Sequence, residues 1–230
     1  ELWCFTGVLD DRFNPAVAWT VQLDATTRFL GSLAPLLRDL GCRLNLETHE
    51  EITTFELVRI VEAIGPDVVG VCLDTANLLV EAEDPTAAVR RVAPYVHQTH
   101  VMDAIVYFAP EGLERQARPC GEGVLDWDAI ITTLATHSPD LALSLENRNG
   151  HYSVPIYDPA WQAVHPDLTV AEMIDVVRLA RITEEKIRRG KWEDPRAYEL
   201  VPWADRQPAA LQTSVRYLRR RLEATGLVEP

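Results

Sequence analysis

The sequence predicts an α/β fold built on a parallel sheet, and three observations carry that expectation. Short apolar runs alternate five times with stretches of helical periodicity. The runs are rich in valine and leucine, as strands covered on both faces require. Gly41 and Gly65-Pro66 close the first two helical stretches just before a new run begins. The chain has 230 residues, 47% of them hydrophobic, which suits one substantial core.

The elements follow in order. LWCFTG (2–7) reads as a short buried strand, and a loop with Asp10, Asp11 and Asn14 leads to a long helix from about Pro15 to Leu40. Residues 42–48 form the second strand. A helix with Phe55, Leu57, Val58, Val61 and Ile64 on its apolar positions follows, then the strand DVVGVCLD (67–74). A helix from Asp84-Pro85 through Val92 precedes the strand YVHQTHVMD (95–103). Pro110, Gly112, Pro119, Gly121 and Gly123 mark a longer loop before a helix from about Trp127 to Thr136, and Pro139 introduces the fifth strand, LALSLEN. Beyond Asn147 the texture changes to a Pro-rich loop, a helix near Thr169 to Arg189, a loop around Asp194 to Pro208 and a last helix ending before Gly226. Residues 1–150 are expected to carry the sheet and its site, and 151–230 a helical extension packed on it or on a partner subunit.

In parallel α/β folds functional groups collect where strands end. Four strand ends here carry a metal-ligating residue type: Glu47, Asp74, His100 and Glu146. In LALSLEN, Leu141, Leu143 and Leu145 share one face, suited to packing under helices, while Ala142, Ser144 and Glu146 share the other. Leu44 and Leu46 likewise oppose Asn45 and Glu47, and Asp74 aligns with Gly70 and Cys72. Three carboxylates in one mouth repel each other unless protonated or neutralised. A divalent cation resolves this, and the mixed oxygen and nitrogen set suits manganese, magnesium or cobalt, with zinc also possible.

The stretches LNLETHE, VGVCLDTANLL, VHQTHVMDA, RPCGEGVLDW and LSLEN, in that order, resemble the xylose isomerase-like TIM barrel superfamily, in particular its sugar phosphate isomerase/epimerase and ketose 3-epimerase group. The resemblance covers about residues 40–148. It implies a (β/α)8 barrel with the metal held by Glu47, Asp74, His100 and Glu146, the two glutamates also flanking the substrate carbon that loses and regains a proton. In that family these ligands come from the last four strands, so LWCFTG would be the fourth strand and the first three βα units have no counterpart. The expectation is a sequence lacking an N-terminal portion of the natural protein; an open or complemented half-barrel is the alternative. Met102 stands where family members often have a lysine, and Asn77 where ketose epimerases place a histidine.

The implied activity is a divalent-metal-dependent isomerase or epimerase of a keto-sugar, abstracting a proton to form a metal-stabilised enediolate, with Glu47 and Glu146 as the catalytic carboxylates. A lyase or decarboxylase on a keto-sugar acid, or a non-catalytic barrel subunit, uses the same architecture. His49, two residues beyond Glu47, points into the same mouth; Asn77, Arg118 and Glu122 are further substrate-binding candidates, Arg118 as an anchor for a carboxylate or phosphate. Asn147 and Arg148 can complete the pocket, and Tyr152, Tyr157 and Trp161 read as core of the tail or as a lid.

A formal net charge of −13, from 22 Lys plus Arg against 35 Asp plus Glu, argues against a nucleic-acid partner. A DNA-repair endonuclease on this architecture needs more strand-end histidines and a basic face, and this sequence offers neither. Four scattered cysteines without a CxxC pair favour a reducing compartment, and no apolar stretch approaches a membrane span, so a cytoplasmic location is expected. The apolar stripe Val176, Val177, Leu179 and Ile182 leads us to expect a homo-oligomer.

Overall fold

The structure, a computed structural model, describes residues 1–227. A four-stranded parallel sheet forms its centre, with β1 (Leu2–Cys4), β2 (Leu44–Glu47), β3 (Val69–Asp74) and β4 (Val96–His100) adjacent in sequence order. Between β1 and β2 run α1 (Leu9–Arg12) and α2 (Trp19–Asp39); α3 (Thr54–Ile64) and α4 (Pro85–Val92) make the next two crossovers. This sequential order is that of a βα barrel.

Local chemistry explains the boundaries. The Thr53 hydroxyl accepts from Glu56 N while Glu56 Oε2 accepts from Thr53 N, a capping box that starts α3. Asp84 caps α4 ahead of Pro85 at the first helical position. All six residues of β3 are buried, as the VGVCLD run requires. Inside the sheet's curve space is short: a Cβ on Gly70 would stand 2.5 Å from Asn45 Oδ1 and 2.6 Å from His97 Cδ2. The register sets Glu47 beside Cys72 and Asp74 beside His100, so the carboxylates emerge together at the strand ends.

Two expectations are corrected. The supposed loop after residue 103 is a hairpin of β5 (Asp103–Ala109) and β6 (Gly112–Arg118), extended antiparallel by β7 (His151–Val154). Pro110 and Gly112 form only its tight turn; Gly112 has φ 141°, and a Cβ there would lie 2.7 Å from Ile156 N. LALSLEN is not a regular strand. It lies alongside β4 through one parallel bridge, Val101 with Leu145, because the Thr99 hydroxyl takes up ladder bonds, donating to Ala142 O and accepting from Ser144 N.

After β6 come α5 (Trp127–His137), then β7, α6 (Pro159–Ala163), α7 (Val170–Arg188), α8 (Pro195–Leu200) and α9 (Trp203–Ala224). The segment expected to be helical from residue 151 thus opens with a strand of the hairpin sheet. Helix α7 packs on β5 and buries Val176 and Ala180, leaving Ile182 exposed. No described helix is long and apolar enough to cross a membrane.

A buried ionic network ties the helices to the segment after α6. Arg12, 2% exposed, donates to Glu56 Oε2 (2.8 Å), Glu51 O (2.9 Å) and Val164 O (2.6 Å). Its Nε lies 3.4 Å from Glu81 Oε2, which stands 2.8 Å from His165 Nε2. Removing Arg12 strands two buried carboxylates. The Arg12→Ala protein is expected to lose about 3–5 kcal/mol of unfolding free energy in denaturant titrations, with Arg12→Lys recovering only part. A loss below about 1 kcal/mol would show that the network adds little to stability.

Candidate metal centre and its surroundings

Two threonines lock the strand ends in place. The Thr48 hydroxyl donates to Asp74 O and accepts from Asp74 N, both at 2.8 Å; the Thr75 hydroxyl does the same for Met102 O and N at 2.6 and 3.0 Å. On this frame Glu47, 3% exposed, is held by Trp3 Nε1, which donates to Oε2 at 3.0 Å, and its Oε1 lies 2.9 Å from His100 Nδ1. Asp74 is fully buried. Its Oδ1 accepts from Ala76 N (2.9 Å) and Asn77 N (3.3 Å), whereas Oδ2 has no partner. Glu146 places Oε1 3.1 Å from Arg148 Nε, and its Oε2 is likewise buried without a hydrogen bond. Ligand atoms of Glu47, His100 and Glu146 lie within 4.8 Å of one another.

The electrostatics register this crowding. Burial, then the charges of Glu146 and Glu47, push the Asp74 carboxyl well above the usual carboxylate range, against the pull of Arg115. The hydrogen bond to Glu47 raises the His100 imidazole. Burial together with Glu47, Asp74 and Glu146 pushes up the Cys72 thiol beneath them, which stays neutral. Two orphaned carboxylate oxygens beside a Glu–His pair fit a divalent cation with oxygen-rich ligation.

The other expected site residues take varied places. His49 stacks on Phe5 at 4.7 Å, with Nδ1 2.5 Å from Glu51 Oε2 and Nε2 2.8 Å from Glu50 Oε2. Burial lowers its affinity for a proton, but the two carboxylates prevail and hold its pKa up to about 10. Asn77 is 1% exposed; its Oδ1 accepts from Arg115 Nη2 at 3.0 Å, and its Nδ2 has no partner. Arg118 stacks over Tyr198 at 3.5 Å and edges a narrow crevice with Met102, Glu146, Arg148 and Trp203. Glu122 is exposed, on a separate groove with Thr213, Arg216 and Arg220.

Three residues were not anticipated in these roles. Trp3, which falls in the strand LWCFTG expected to be buried, is 45% exposed and orients Glu47. Tyr152 stands beside Arg148 and, at 5.5 Å, beneath the Arg115 guanidinium. Arg115 is fully buried at the rear of the site. Its signal was present: in GLERQAR alternation places Arg115 on one face with the apolar Leu113 and Ala117, while Gln116 and Arg118, also buried, lie on the other.

A family model described as xylose isomerase-like TIM barrel matches residues 4–178. The uncharacterized protein YihM of Escherichia coli is 27% identical over 154 residues, 64% of this chain and 47% of that protein. The 3-oxo-isoapionate decarboxylase of Pectobacterium atrosepticum is 27% identical over 139 residues, 59% of this chain and 50% of the enzyme. The chain spans about half the length of the curated relatives it matches. Among solved structures, a xylose isomerase domain protein from Planctomyces limnophilus superposes with a TM-score of 0.49 at 23% identity, covering 63% of this chain and 51% of the other.

Proposed function

The chain belongs to the xylose isomerase-like TIM barrel family, and from that premise we propose that it forms the metal-binding half of a divalent-metal-dependent enzyme of keto-sugar chemistry, an isomerase or epimerase. The observation that carries the reading is the pair of buried, unpartnered oxygens, Asp74 Oδ2 and Glu146 Oε2, beside the Glu47–His100 pair. Glu47, Asp74, His100 and Glu146 are the proposed ligands. A bound divalent ion supplies Lewis acidity toward a ketone oxygen, which acidifies the neighbouring carbon.

The chain's own groups divide the remaining work. Glu47 ends β2 and Glu146 lies on the segment alongside β4, so one carboxylate can take the proton from the carbon beside the carbonyl while the electron pair moves onto the carbonyl oxygen. Return of a proton to the opposite face of that carbon gives the epimer; return to the adjacent carbon gives the isomer. Trp3 fixes the Glu47 carboxylate, and Arg148 Nε stands 3.1 Å from Glu146 Oε1 and orients that carboxylate. Loss of carbon dioxide leaves the same enediolate, so a decarboxylase is the second reading; the likeness to the decarboxylase of Pectobacterium atrosepticum favours it, as does Asn77, whose amide is a poor acid.

The test is elemental analysis of the full-length protein with solvent-deuterium exchange into ketoses and keto-acids, beside the Glu146→Gln variant. About one divalent ion per chain, and exchange at least about 100-fold slower in the variant, are expected. No metal in wild-type protein prepared with excess manganese and magnesium would overturn the reading.

A further inference from the structure

The rear of the site holds unsatisfied donors as well as unsatisfied acceptors. Arg115 is fully buried, and both of its partners are neutral: Nε donates to Ala76 O at 3.1 Å and Nη2 to Asn77 Oδ1 at 3.0 Å. Its Nη1 has no acceptor, nor does Nδ2 of Asn77, the residue it grips. A buried guanidinium with an idle N–H, locked to a buried amide with another, is a costly arrangement unless an acceptor arrives. The two carboxylate oxygens left over, on Asp74 and Glu146, call for a cation; these two N–H groups call for an oxyanion.

Deepening the proposed reading of this site, and resting on it, we propose that Arg115 and Asn77 receive the carboxylate of the substrate, so that the enzyme acts on a sugar acid in preference to a neutral ketose. Asn77 N donates to Asp74 Oδ1, which keeps the amide next to the proposed metal ligands. Arg148, 3.1 Å from Glu146 and 3.5 Å from the Tyr152 hydroxyl, adds positive charge on the same side. A carboxylate matches the pair better than a phosphate does. It is planar, presents two oxygens to two N–H groups held in fixed relation, and carries one charge against one fully desolvated guanidinium. Gly150 packs close against the guanidinium: a Cβ there would stand 3.2 Å from Arg115 Nη1.

Calorimetric titration of the full-length, metal-loaded protein with ribonate, ribulose and ribulose 5-phosphate tests this. Ribonate is expected to bind at least about tenfold more tightly than ribulose. Arg115→Lys, which keeps the charge and loses the fork, and Asn77→Asp, which sets a like charge against the ligand, should each collapse that preference with metal content unchanged. Should Arg115→Lys fail to fold by circular dichroism, Asn77→Asp carries the test alone. Equal affinity for ribulose, tightest binding of ribulose 5-phosphate, or a preference that survives in a folded variant would overturn the assignment. Metal content reports separately on the enzyme reading: a wild-type protein without metal that still prefers ribonate removes the metal centre and leaves the carboxylate site standing.

Discussion

Asp74→Asn is expected to abolish metal binding and to make the metal-free protein more stable. The carboxylate lies fully buried, makes two backbone hydrogen bonds through Oδ1 and leaves Oδ2 bare, with Glu146 and Glu47 repelling it. An amide keeps the oxygen that accepts from Ala76 and Asn77 and removes the charge. Relief of desolvation and repulsion should raise the unfolding free energy of the metal-free protein by about 1–3 kcal/mol, the pattern of strain stored at a functional site. Changes outside a ligand sphere cost roughly 10–100-fold in metal affinity, so loss of a ligand should cost at least the upper end, with turnover falling in step. Denaturant titration in chelator, paired with metal analysis, checks both halves. A metal-free variant less stable than wild type would mean that the Asp74 charge serves the fold and not a cation.

This opposition between site and fold also explains which features the sequence disclosed. LNLE and VGVCLD were legible because alternation or a valine run is broken by a carboxylate at the strand end, where burial has no use for one. The start of α4 was legible because Asp84 caps it locally ahead of Pro85. The hairpin was not, since Pro110 and Gly112 read as loop punctuation and concealed the alternation on both sides of the turn. With the hairpin went Arg115, the residue on which the proposed substrate class now rests. LALSLEN has a strand's pattern, yet bonds of the Thr99 side chain replace its ladder, an interaction between residues more than forty apart that periodicity cannot reveal. The contact of Arg12 with the Val164–His165 segment is of the same kind: each end reads as an ordinary loop until the fold joins them.

A stability effect as large as that at Arg12 is expected at Asp103, which organises the loop from Pro119 to Trp127. It is fully buried at the start of β5. Oδ1 accepts from Ala104 N (2.9 Å) and Leu125 N (3.3 Å), and Oδ2 from Gly121 N (2.9 Å) and Trp127 Nε1 (2.8 Å). Gly123 passes so close that a Cβ would stand 2.0 Å from Oδ1, which explains the glycine in CGEGVLDW. Asp103→Ala leaves four donors without an acceptor and should cost about 3–5 kcal/mol; Asp103→Asn, keeping one oxygen, should cost less. The pH dependence has a definite sign. Burial, only partly offset by these donors, lifts the carboxyl to about 6 from an ordinary 3.8, so the folded chain holds this proton more tightly than the unfolded chain. The group's contribution is therefore complete below the ordinary value and declines as pH rises through about 6, by roughly 3 kcal/mol in all. Denaturant titrations of wild type and Asp103→Asn between pH 4 and 7 isolate the effect: their difference should shift against the wild type as pH rises and level off above about 6. A constant difference would mean that the four donors hold the carboxylate ionised across the whole range.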